Sequence, residues 1–450
     1  MSPLRLLLVV HGYPPTFKAG AELRAQRTAR GLVARGADVR VLCVESTRAK
    51  GHATGEEDRE EDGAQVRRLY LDLDAVPDPF KWSYDNPRIG AATARIIEEW
   101  KPSILHLYSG YLTSSSVIRA ATAQNVPTVV SLTDYWWLCH RTTLVRSNGT
   151  RCDGPTPDRC AGCYREGRRR HRVASKLWPA GAQMVWRLTD TLQGAASLTN
   201  RQQDRADTLK DALHDVSAMI APSQHLADRY IENGVDGTKI HVWRQGVDAR
   251  PLPSVPSPDL RVGYLGQVKR HKGVHTLLDA WALLRGNRGR QLVLYGSADG
   301  EPAYGLQIER MLEQLPGAVW NGHFEASELW RVLANLDVLV IPSRWAENSP
   351  NVILEAQAAG VPVIGTRLGG IPELVEHNRN GLLFTVDDAK DLASQLQRTL
   401  DEPELLPLLR AEALSVRTVD EEVDQICELY TRLTGEPIQD SRHLSALHGR

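Results

Sequence analysis

Two glutamates, Glu347 and Glu355, are separated by seven residues in the segment AENSPNVILEAQAAG. The Ser-Pro pair between them predicts the start of a helix, with Ser349 as the N-cap and the proline in the first helical position. The first backbone N–H groups of that helix, at Asn351 and Val352, would form with the helix dipole an anion site suited to a diphosphate. Glu347 would lie at the edge of this site, and Glu355 would accept hydrogen bonds from ribose hydroxyls. The alternative is that both glutamates are solvated surface residues.

A second segment, GYLGQVKRHKGV, places a glycine and several cations after a predicted strand. Lys272 stands where a helix would begin, and an ammonium group there can neutralise phosphate oxygens without a planar geometry. Gly322 and His323, in the segment NGH, predict another close approach of the backbone, of the kind that holds a nucleobase. Each feature alone is typical of an ordinary turn. The prediction of a nucleotide site depends on their combination with the glutamate pair.

Four of the six cysteines, Cys139, Cys152, Cys160 and Cys163, have the spacing C-x12-C-x7-C-x2-C in a Gly- and Pro-rich segment. Four thiolates can hold a tetrahedral zinc ion, so this spacing predicts zinc or another structural metal. An iron–sulfur cluster and free thiols are the alternatives.

A basic segment follows, which begins at Arg165 and ends at Arg172. Together with the tryptophans after it, this segment predicts peripheral contact with anionic lipid head groups. The alternative is a solvated charged face.

The composition excludes some classes of protein. A net charge of -1 gives no reason to expect nucleic acid as a partner. The apolar stretch LRLLLVV near the start is too short to cross a bilayer, and it predicts a buried strand instead. We expect a cytoplasmic protein, with peripheral contact at the inner face of the membrane.

The elements that must position these residues follow from the alternation of short apolar runs with longer amphipathic segments. This pattern predicts βαβ units, which form parallel sheets with helices on both faces. The Pro-rich segment 247–260 divides the pattern into two halves. We therefore predict an α/β protein with two Rossmann-like, doubly wound domains that face each other across a cleft, with ligands beyond the carboxyl ends of the strands. The charged segment 45–65 is predicted to be an exposed loop.

The predicted domain boundaries follow from the same pattern. They are an N-terminal domain over 1–250 with a cysteine-rich insertion at about 139–165, a C-terminal domain over 251–420, a C-terminal helix over 421–436 that could pack against either domain, and a disordered tail over 437–450.

The chain resembles the GT-B-fold, retaining, nucleotide-sugar-dependent glycosyltransferases of the family 4 type. The resemblance covers about residues 4 to 435, and the segments that carry it are HGYPPTFKAGAELRAQRTARGLVARGADVRVLCV, GQVKRHKGV and LDVLVIPSRWAENSPNVILEAQAAGVPVIGTRLGGIPELVEHNRNGLLF. In that family the first glutamate of an E-x7-E pair contacts the donor sugar and the second contacts the ribose, which implies these roles for Glu347 and Glu355. Lys272 matches the lysine that supports the diphosphate, and Gly20 matches a glycine of the N-terminal loop that closes over the donor phosphates.

Two positions depart from the family pattern. The usual arginine five residues before the lysine is Gln267 here, so Arg270 or Arg344 would supply the positive charge. The usual His-Asp pair after a strand is Thr133-Asp134, so Asp134 or another histidine, such as His106, would take the part of the missing imidazole. For His106, a core histidine is the alternative.

The resemblance implies that the N-terminal domain serves the acceptor, that the C-terminal domain serves the nucleotide-sugar donor, and that the C-terminal helix returns to the N-terminal domain. It also implies catalytic roles for Glu347, Lys272 and Asp134, and an acceptor-side place for His106 and Thr133. The predicted donor-binding residues are Gly20, Gly266, Gln267, Arg270, Lys272, Gly322, His323, Asn348, Ser349, Asn351, Val352 and Glu355.

The implied activity is a hexosyl transfer from a nucleoside diphosphate sugar to an acceptor hydroxyl, in glycan, cell-surface polysaccharide or glycolipid synthesis. The helix start and Lys272 would stabilise the departing diphosphate, so we expect no cofactor in catalysis. The alternatives are a nucleotide-sugar epimerase of the same fold and a non-catalytic subunit that binds a nucleotide sugar.

Overall fold

The computed structural model describes residues 3–47, 54–73, 75–168, 177–194, 197–286, 289–413 and 415–438. The chain divides into two compact units. Unit 1 consists of Met1–Pro222, Leu226–Arg244 and Val419–Arg450, and unit 2 consists of Ser223–His225 and Gln245–Thr418. Apart from residues 437 and 438, the predicted disordered tail lies outside the described residues.

Unit 1 contains an eight-stranded sheet with the order β3-β4-β2-β1-β5-β6-β7-β8. Its strands are β1 (Arg5–His11), β2 (Asp38–Ser46), β3 (Gly55–Glu61), β4 (Ala64–Leu71), β5 (Ile104–Tyr108), β6 (Thr128–Ser131), β7 (Ala218–Ala221) and β8 (Ile240–Val242). The central strands are short runs of Val, Leu and Ile that are buried almost completely, as in sheets covered on both faces. The pairs are parallel except for β3 with β4.

The charged segment that we predicted to be an exposed loop instead contains the edge strand β3. It pairs antiparallel with β4, and Arg67 Nη2 donates a hydrogen bond of 2.9 Å to Asp58 Oδ2 across the pair. The connection is Asp62-Gly63, in which both residues have a positive φ, 55° and 78°. An Asp-Gly pair with this geometry marks a hairpin, and charges along an edge strand oppose further pairing. The prediction was wrong because it considered polarity and not the turn signal.

The helices of this part of the chain cover both faces of the sheet. They are α1 (Gly20–Ala34), α2 (Pro79–Trp82), α3 (Pro87–Trp100), α4 (Ser116–Thr122), α5 (Pro157–Gly167), α6 (Pro179–Gln193), α7 (Leu198–Asp215) and α8 (Gln224–Glu232). Among the described residues, no helix combines the length and the apolar character needed to cross a bilayer.

Unit 2 contains a six-stranded parallel sheet with the order β11-β10-β9-β12-β13-β14. Its strands are β9 (Leu260–Leu265), β10 (Arg290–Tyr295), β11 (Ala318–Gly322), β12 (Val338–Ile341), β13 (Val363–Thr366) and β14 (Gly381–Phe384). Its helices are α9 (Val274–Ala282), α10 (Pro302–Leu312), α11 (Leu329–Ala334), α12 (Asn351–Ala358), α13 (Ile371–Leu374), α14 (Ala389–Asp401) and α15 (Leu405–Ala411). Along β12, Val338 and Val340 join one hydrophobic cluster while Leu339 and Ile341 join another, so both faces of the sheet are covered.

The C-terminal helix α16 (Val419–Thr434) belongs to unit 1, as the family resemblance implies. It packs against α1, where Arg24 Nε lies 2.7 Å from Oε1 of Glu422 in a buried ion pair. The hydroxyl group of Tyr430 lies 2.6 Å from Nδ1 of His106 on β5. Because buried charges are costly when unpaired, these contacts fix the register of the helix on unit 1.

Candidate functional site

The strand order of unit 2 reverses between β9 and β12, and the loops after these two strands carry predicted site residues. The loop after β9 passes Gly266 and Gln267 and ends in a 3-10 turn, Arg270–Lys272. The loop after β12 contains Glu347 and leads to α12. In open α/β sheets, ligands bind beyond the carboxyl ends of the strands at such a reversal.

Lys272 and Glu347 form an ion pair at this reversal. Nζ of Lys272 lies 2.7 Å from Oε1 of Glu347, and the same oxygen accepts a hydrogen bond of 2.6 Å from Oγ of Ser343. Glu347 is buried, and Nζ of Lys272 lies 5.0 Å from the ring centroid of Trp345. Burial, and then the charge of Glu347, raise the pKa of Tyr264 well above its ordinary value. Lys272 and Glu347 thus place two opposite charges next to each other at the carboxyl end of the sheet.

Two glycines allow the loops to approach each other this closely. Gly273, directly after Lys272, has a φ of 74°, and a Cβ atom there would lie 1.9 Å from the carbonyl oxygen of Pro342. A Cβ atom at Gly370 would lie 1.9 Å from the carbonyl oxygen of Asn348. Any side chain at either position would displace the backbone next to a predicted site residue.

The helix after this loop begins later than the sequence predicts. Helix α12 begins at Asn351, and its N-cap is Pro350, which provides no side-chain cap. The prediction of Ser349 as the N-cap is wrong, because the proline itself has the extended conformation of a capping residue, with φ -63° and ψ 117°. Within the described part of the chain, Oγ of Ser349 is buried and has no hydrogen-bond partner. The first N–H groups of the helix, at Asn351 and Val352, keep the places that the sequence predicted.

The other donor-side residues fall into two groups. Asn348 is buried in the loop before α12, and the partly buried Glu355 is on that helix. Gly322 ends β11, and the ring of His323 stacks on Phe324 with a centroid distance of 6.3 Å. Because β11 is two strands away from β9 in the sheet, these two residues do not belong to the loops that carry the ion pair.

The two arginines that we expected to replace the missing family arginine have partners of their own. Nη2 of Arg270 donates a hydrogen bond of 3.0 Å to Gln307, and Nη2 of Arg344 donates one of 3.2 Å to Asp387. Gln267 is exposed in the loop after β9. Lys272 is thus the predicted cation that contacts Glu347 directly.

In unit 1, Asp134 lies in the loop after β6. Its Oδ1 atom accepts a hydrogen bond of 2.7 Å from the backbone N–H of Trp136, and its Oδ2 atom accepts one of 3.4 Å from Oγ of Ser109. The pKa of Asp134 is raised to about 6. Burial causes the rise, and the hydrogen bonds from these donors and from the Thr133 side chain offset part of it. Because its partners are neutral, Asp134 is a carboxyl group that titrates close to neutral pH.

A polar cluster at the reversal between β1 and β5 was not predicted. Nε2 of His11, at the end of β1, lies 3.6 Å from Oε1 of Glu22 in the first turn of α1, and its ring packs edge-to-face on Tyr111 at 5.2 Å. Burial lowers the pKa of His11 to about 4 and raises that of Glu22. Within the described residues, His11 Nδ1 and Glu22 Oε2 are buried without a partner. The signal in the sequence was a histidine that directly follows the first buried strand.

Two further predicted residues of unit 1 have different surroundings. His106 is completely buried, and its two ring nitrogens contact Tyr430 at 2.6 Å and Ser131 at 2.9 Å. Burial lowers the pKa of this histidine well below its ordinary value. The structure therefore favours the core-histidine alternative over an acceptor-side role. Gly20 is exposed as the first residue of α1, after the N-cap Ala19, which forms no side-chain cap.

The four cysteines of the predicted metal site are free thiols in the structure. Burial is the main cause of the raised pKa of Cys160, and the thiols of Cys139, Cys152 and Cys163 raise it further. The four thiols therefore lie close to one another. Nevertheless, in the described ranges no three His, Cys, Asp or Glu side chains are placed so that they could hold a metal ion. The zinc assignment stays a prediction. Of the basic segment, residues 169–172 lie outside the described residues.

Comparisons with known proteins agree with the two-unit architecture. Residues 19–155 match the family model described as glycosyl transferase 4-like domain, and residues 259–402 match the one described as glycosyl transferases group 1. A GDP-mannose-dependent alpha-mannosyltransferase of Corynebacterium glutamicum is 36% identical over 184 residues, which are 38% of this chain and 41% of that protein. A glycogen synthase of Mycobacterium tuberculosis is 25% identical over 426 residues, which are 89% of this chain and 87% of that protein.

Among solved structures, Anabaena HepE in complex with UDP is similar with a TM-score of 0.66 and 17% identity, over 95% of this chain and 100% of that chain. At this identity the likeness shows the fold alone, and that fold is GT-B. The two family matches together cover more than half of the 450 residues, one in each unit. The chain belongs to the GT-B-fold glycosyltransferases of the family 4 type.

Proposed function

We propose that the protein is a retaining glycosyltransferase that transfers a sugar from a nucleoside diphosphate sugar to an acceptor hydroxyl. The observation that carries this proposal is the ion pair of Lys272 and Glu347 at the strand reversal of unit 2, close in sequence to the N-terminus of α12. A cation, an anion and a helix start at the carboxyl end of a sheet fit a ligand that contains both a diphosphate and hydroxyl groups.

Each group of the donor site has a proposed task. The ammonium group of Lys272 and the first N–H groups of α12 stabilise the negative charge that develops on the departing diphosphate. Among the hydrogen bonds of the described residues, Glu347 uses only Oε1, so Oε2 can accept hydrogen bonds from the sugar. Glu355, further along α12, binds the ribose hydroxyls.

The transfer breaks the bond between the anomeric carbon and the diphosphate oxygen. The acceptor oxygen forms its bond to the same carbon on the face that the diphosphate leaves, and the acceptor proton passes to an oxygen of the departing diphosphate. We assign Asp134 to the acceptor side, because a carboxyl group with a pKa of about 6 is largely ionised near pH 7 and can accept a hydrogen bond from a hydroxyl group.

The relatives support the substrate class. The Corynebacterium relative is a GDP-mannose-dependent enzyme, and Anabaena HepE was crystallised with UDP. Both names fit a nucleoside diphosphate sugar as the donor, with glycan, polysaccharide or glycolipid synthesis as the setting. The base, the sugar and the acceptor are determined by side chains outside the ion pair.

A donor screen tests the proposal. The purified chain is incubated with UDP-, GDP- and ADP-sugars and a panel of sugar and lipid-linked acceptors, with and without chelator, and nucleotide release and the anomeric configuration of the product are measured. We expect release with at least one donor, a product of retained configuration, and no loss with chelator. An inverted product would overturn the retaining mechanism, and donor binding without turnover in every combination would identify a non-catalytic subunit.

For the cysteine segment we keep the proposal of a structural metal outside the reaction, on the support of the four-cysteine spacing alone. Because the side chains as placed do not form a ligand set, no step of the transfer depends on it. Metal analysis of the anaerobically purified chain tests this, and a zinc and iron content near zero would overturn it.

A further inference from the structure

Helix α6 presents a continuous apolar stripe to the solvent. Met184, Leu188 and Leu192 follow one another at intervals of four residues, and their side chains are 68%, 61% and 78% exposed. Leu177 and Trp178, directly before the helix, are 81% and 65% exposed and extend the stripe. We call these five residues the apolar face. An apolar face of this size on a surface helix marks a binding surface.

The opposite side of the same helix is fixed to unit 1. Trp186 and Ala182 are buried, and Asp190 accepts hydrogen bonds of 2.9 Å from Arg165 and 3.1 Å from Thr199. A buried aromatic ring and an anchored carboxylate determine the rotation of the helix about its axis. The exposure of the apolar face is therefore a consequence of the packing, not of a frayed helix end.

The charge of this region shows which kind of partner fits the apolar face. Residues 165–187 contain seven arginines or lysines and one glutamate, whereas the whole chain has a net charge of -1. Arg168 and Arg187 are exposed in the structure, and residues 169–176 lie outside the described residues. An apolar helix face with exposed arginines next to it in the sequence matches the interface of an anionic bilayer, where tryptophan is also favoured.

A cavity of about 830 Å³ beside the helix has the same character. Its walls include Phe80, Tyr164 and Trp186, and Arg201 also contributes to its lining. Trp178 contributes both to this cavity and to the apolar face. An aromatic cavity with arginines in its lining, continuous with an apolar surface, fits an amphiphile with an anionic head better than it fits a folded protein partner.

We propose that the apolar face of α6, together with the exposed Arg168 and Arg187, docks the protein on a membrane surface that contains anionic phospholipid. A helix of 15 residues is too short to span the bilayer, so it lies in the plane of the interface with its apolar face toward the acyl chains. This inference does not depend on the glycosyltransferase reaction. It adds a membrane surface as the place where the protein acts.

Vesicle co-sedimentation of the full chain tests the proposal. Vesicles of phosphatidylcholine with 30% phosphatidylglycerol are compared with vesicles of phosphatidylcholine alone. We expect the intact chain to bind the anionic vesicles at least about tenfold more strongly, with binding that weakens as salt is added. The double variant Leu188→Glu/Leu192→Glu is expected to lose at least about tenfold in partition, and so is the charge reversal Arg168→Glu/Arg187→Glu.

The matched control is Leu306→Glu, on α10 of unit 2, where the side chain is also more than half exposed. It is expected to leave partition unchanged, and circular dichroism confirms that each variant is folded. Equal binding of the intact chain and the Leu188→Glu/Leu192→Glu variant would overturn the proposal. So would the absence of any binding to anionic vesicles, or a concentration-dependent dimer that the same variant abolishes, because the apolar face would then bind a second copy of the chain.

Discussion

The two units use the same architecture to place two carboxyl groups in different electrostatic surroundings. In unit 2, Glu347 lies at the reversal of the strand order and is paired with a cation, Lys272, at 2.7 Å. In unit 1, Asp134 follows β6 and accepts hydrogen bonds from neutral donors, Trp136 and Ser109. The sheet topology therefore selects the edge at which a ligand is bound, whereas the partners of each carboxyl group decide its charge.

This difference separates a carboxyl group with a charged partner from one with neutral partners. A carboxylate held by an ammonium group and a hydroxyl group keeps one geometry, which suits the orientation of a substrate. A carboxyl group whose pKa is about 6 changes its charge over a narrow interval around neutral pH. Four predictions test the comparison, and they follow in the order of the expected size of their effects.

The largest effect is expected when the ion pair of unit 2 is broken. Glu347→Gln leaves Lys272 without its counterion, and Lys272→Met removes the charge that we propose stabilises the departing diphosphate. Each variant is expected to lower kcat/KM by about 10²–10³-fold. The double variant should lose less than the product of the two single losses, because the two residues act as a unit. Nucleotide release under steady-state conditions measures all three.

The control for this experiment is an exposed ion pair of the same unit. Glu328→Gln breaks the contact of Glu328 with Arg331, three residues apart on the surface, and it is expected to change kcat/KM by less than twofold. If Glu347→Gln were as active as this control, Glu347 would have no role in the orientation of the sugar.

The second prediction concerns the titrating carboxyl group of unit 1. The pKa of Asp134 in the folded state, about 6, is higher than its ordinary value of 3.8. Ionisation at neutral pH therefore opposes folding, and the contribution of this group to stability is complete below pH 3.8 and is lost as the pH rises through 6. Asp134→Asn is expected to increase the free energy of unfolding by up to about 3 kcal/mol at pH 8, and by about half as much at pH 5.

Urea unfolding at both pH values measures this gain, and the activity of the same variant should fall although it is more stable. A gain that is equal at pH 5 and pH 8 would show that Asp134 does not titrate in this range. Asp337→Asn is the matched control, because Arg261 lies 3.0 Å from Asp337. Burial raises the pKa of Asp337, but the hydrogen bonds from Arg261 outweigh it, and the pKa is lower than its ordinary value. That variant is expected to destabilise unit 2 at both pH values.

The sequence predicted the fold, and it predicted that the loops with Lys272 and Glu347 follow strands, because both are encoded locally. Apolar alternation predicts βαβ units, and the E-x7-E pair and Lys272 stand directly after predicted strands. Contacts between distant segments could not be predicted in this way. Examples are the ion pair of Lys272 with Glu347, which are 75 residues apart, and the contact of His106 with Tyr430, which is 324 residues away in the chain. Their existence depends on which strands are neighbours.

Two errors had a different origin, because the necessary signals were present in the sequence. The Asp-Gly pair at 62–63 is typical of a β-hairpin turn. The charged residues around it led to the prediction of a loop in place of the edge strand. Ser349 has the residue type of an N-cap, but the proline after it took that position. Local propensity therefore predicted the existence of the helix and misplaced its first residue, which is the least certain part of any helix.

The third prediction tests whether close backbone approach holds the cation of unit 2 in place. Gly273→Ala combines a φ of 74° with a Cβ atom 1.9 Å from the carbonyl oxygen of Pro342. It is expected to destabilise unit 2 by about 2 kcal/mol and to reduce activity, because Lys272 must move with the backbone. Gly435→Ala is the matched control, with the same φ of 74° and open space around the Cβ position. Thermal unfolding of both variants separates the steric contact from the conformational strain, and equal losses would exclude the contact with Pro342 as the cause.

The smallest effect on stability is expected at Ser349. If this residue were the N-cap of α12, Ser349→Ala would cost about 1 kcal/mol. Because its hydroxyl group is buried and has no partner among the described residues, the variant is expected to change the free energy of unfolding by less than about 0.5 kcal/mol. Because the sequence prediction places Ser349 in the donor site, the same variant should raise the KM for the nucleotide sugar about three- to tenfold. Asp388→Ala, which removes a true N-cap from α14, is the matched control and should cost about 1 kcal/mol without a change in KM. A loss of stability at Ser349 equal to that of the control would show that the hydroxyl group serves the helix, and an unchanged KM would exclude it from the donor site.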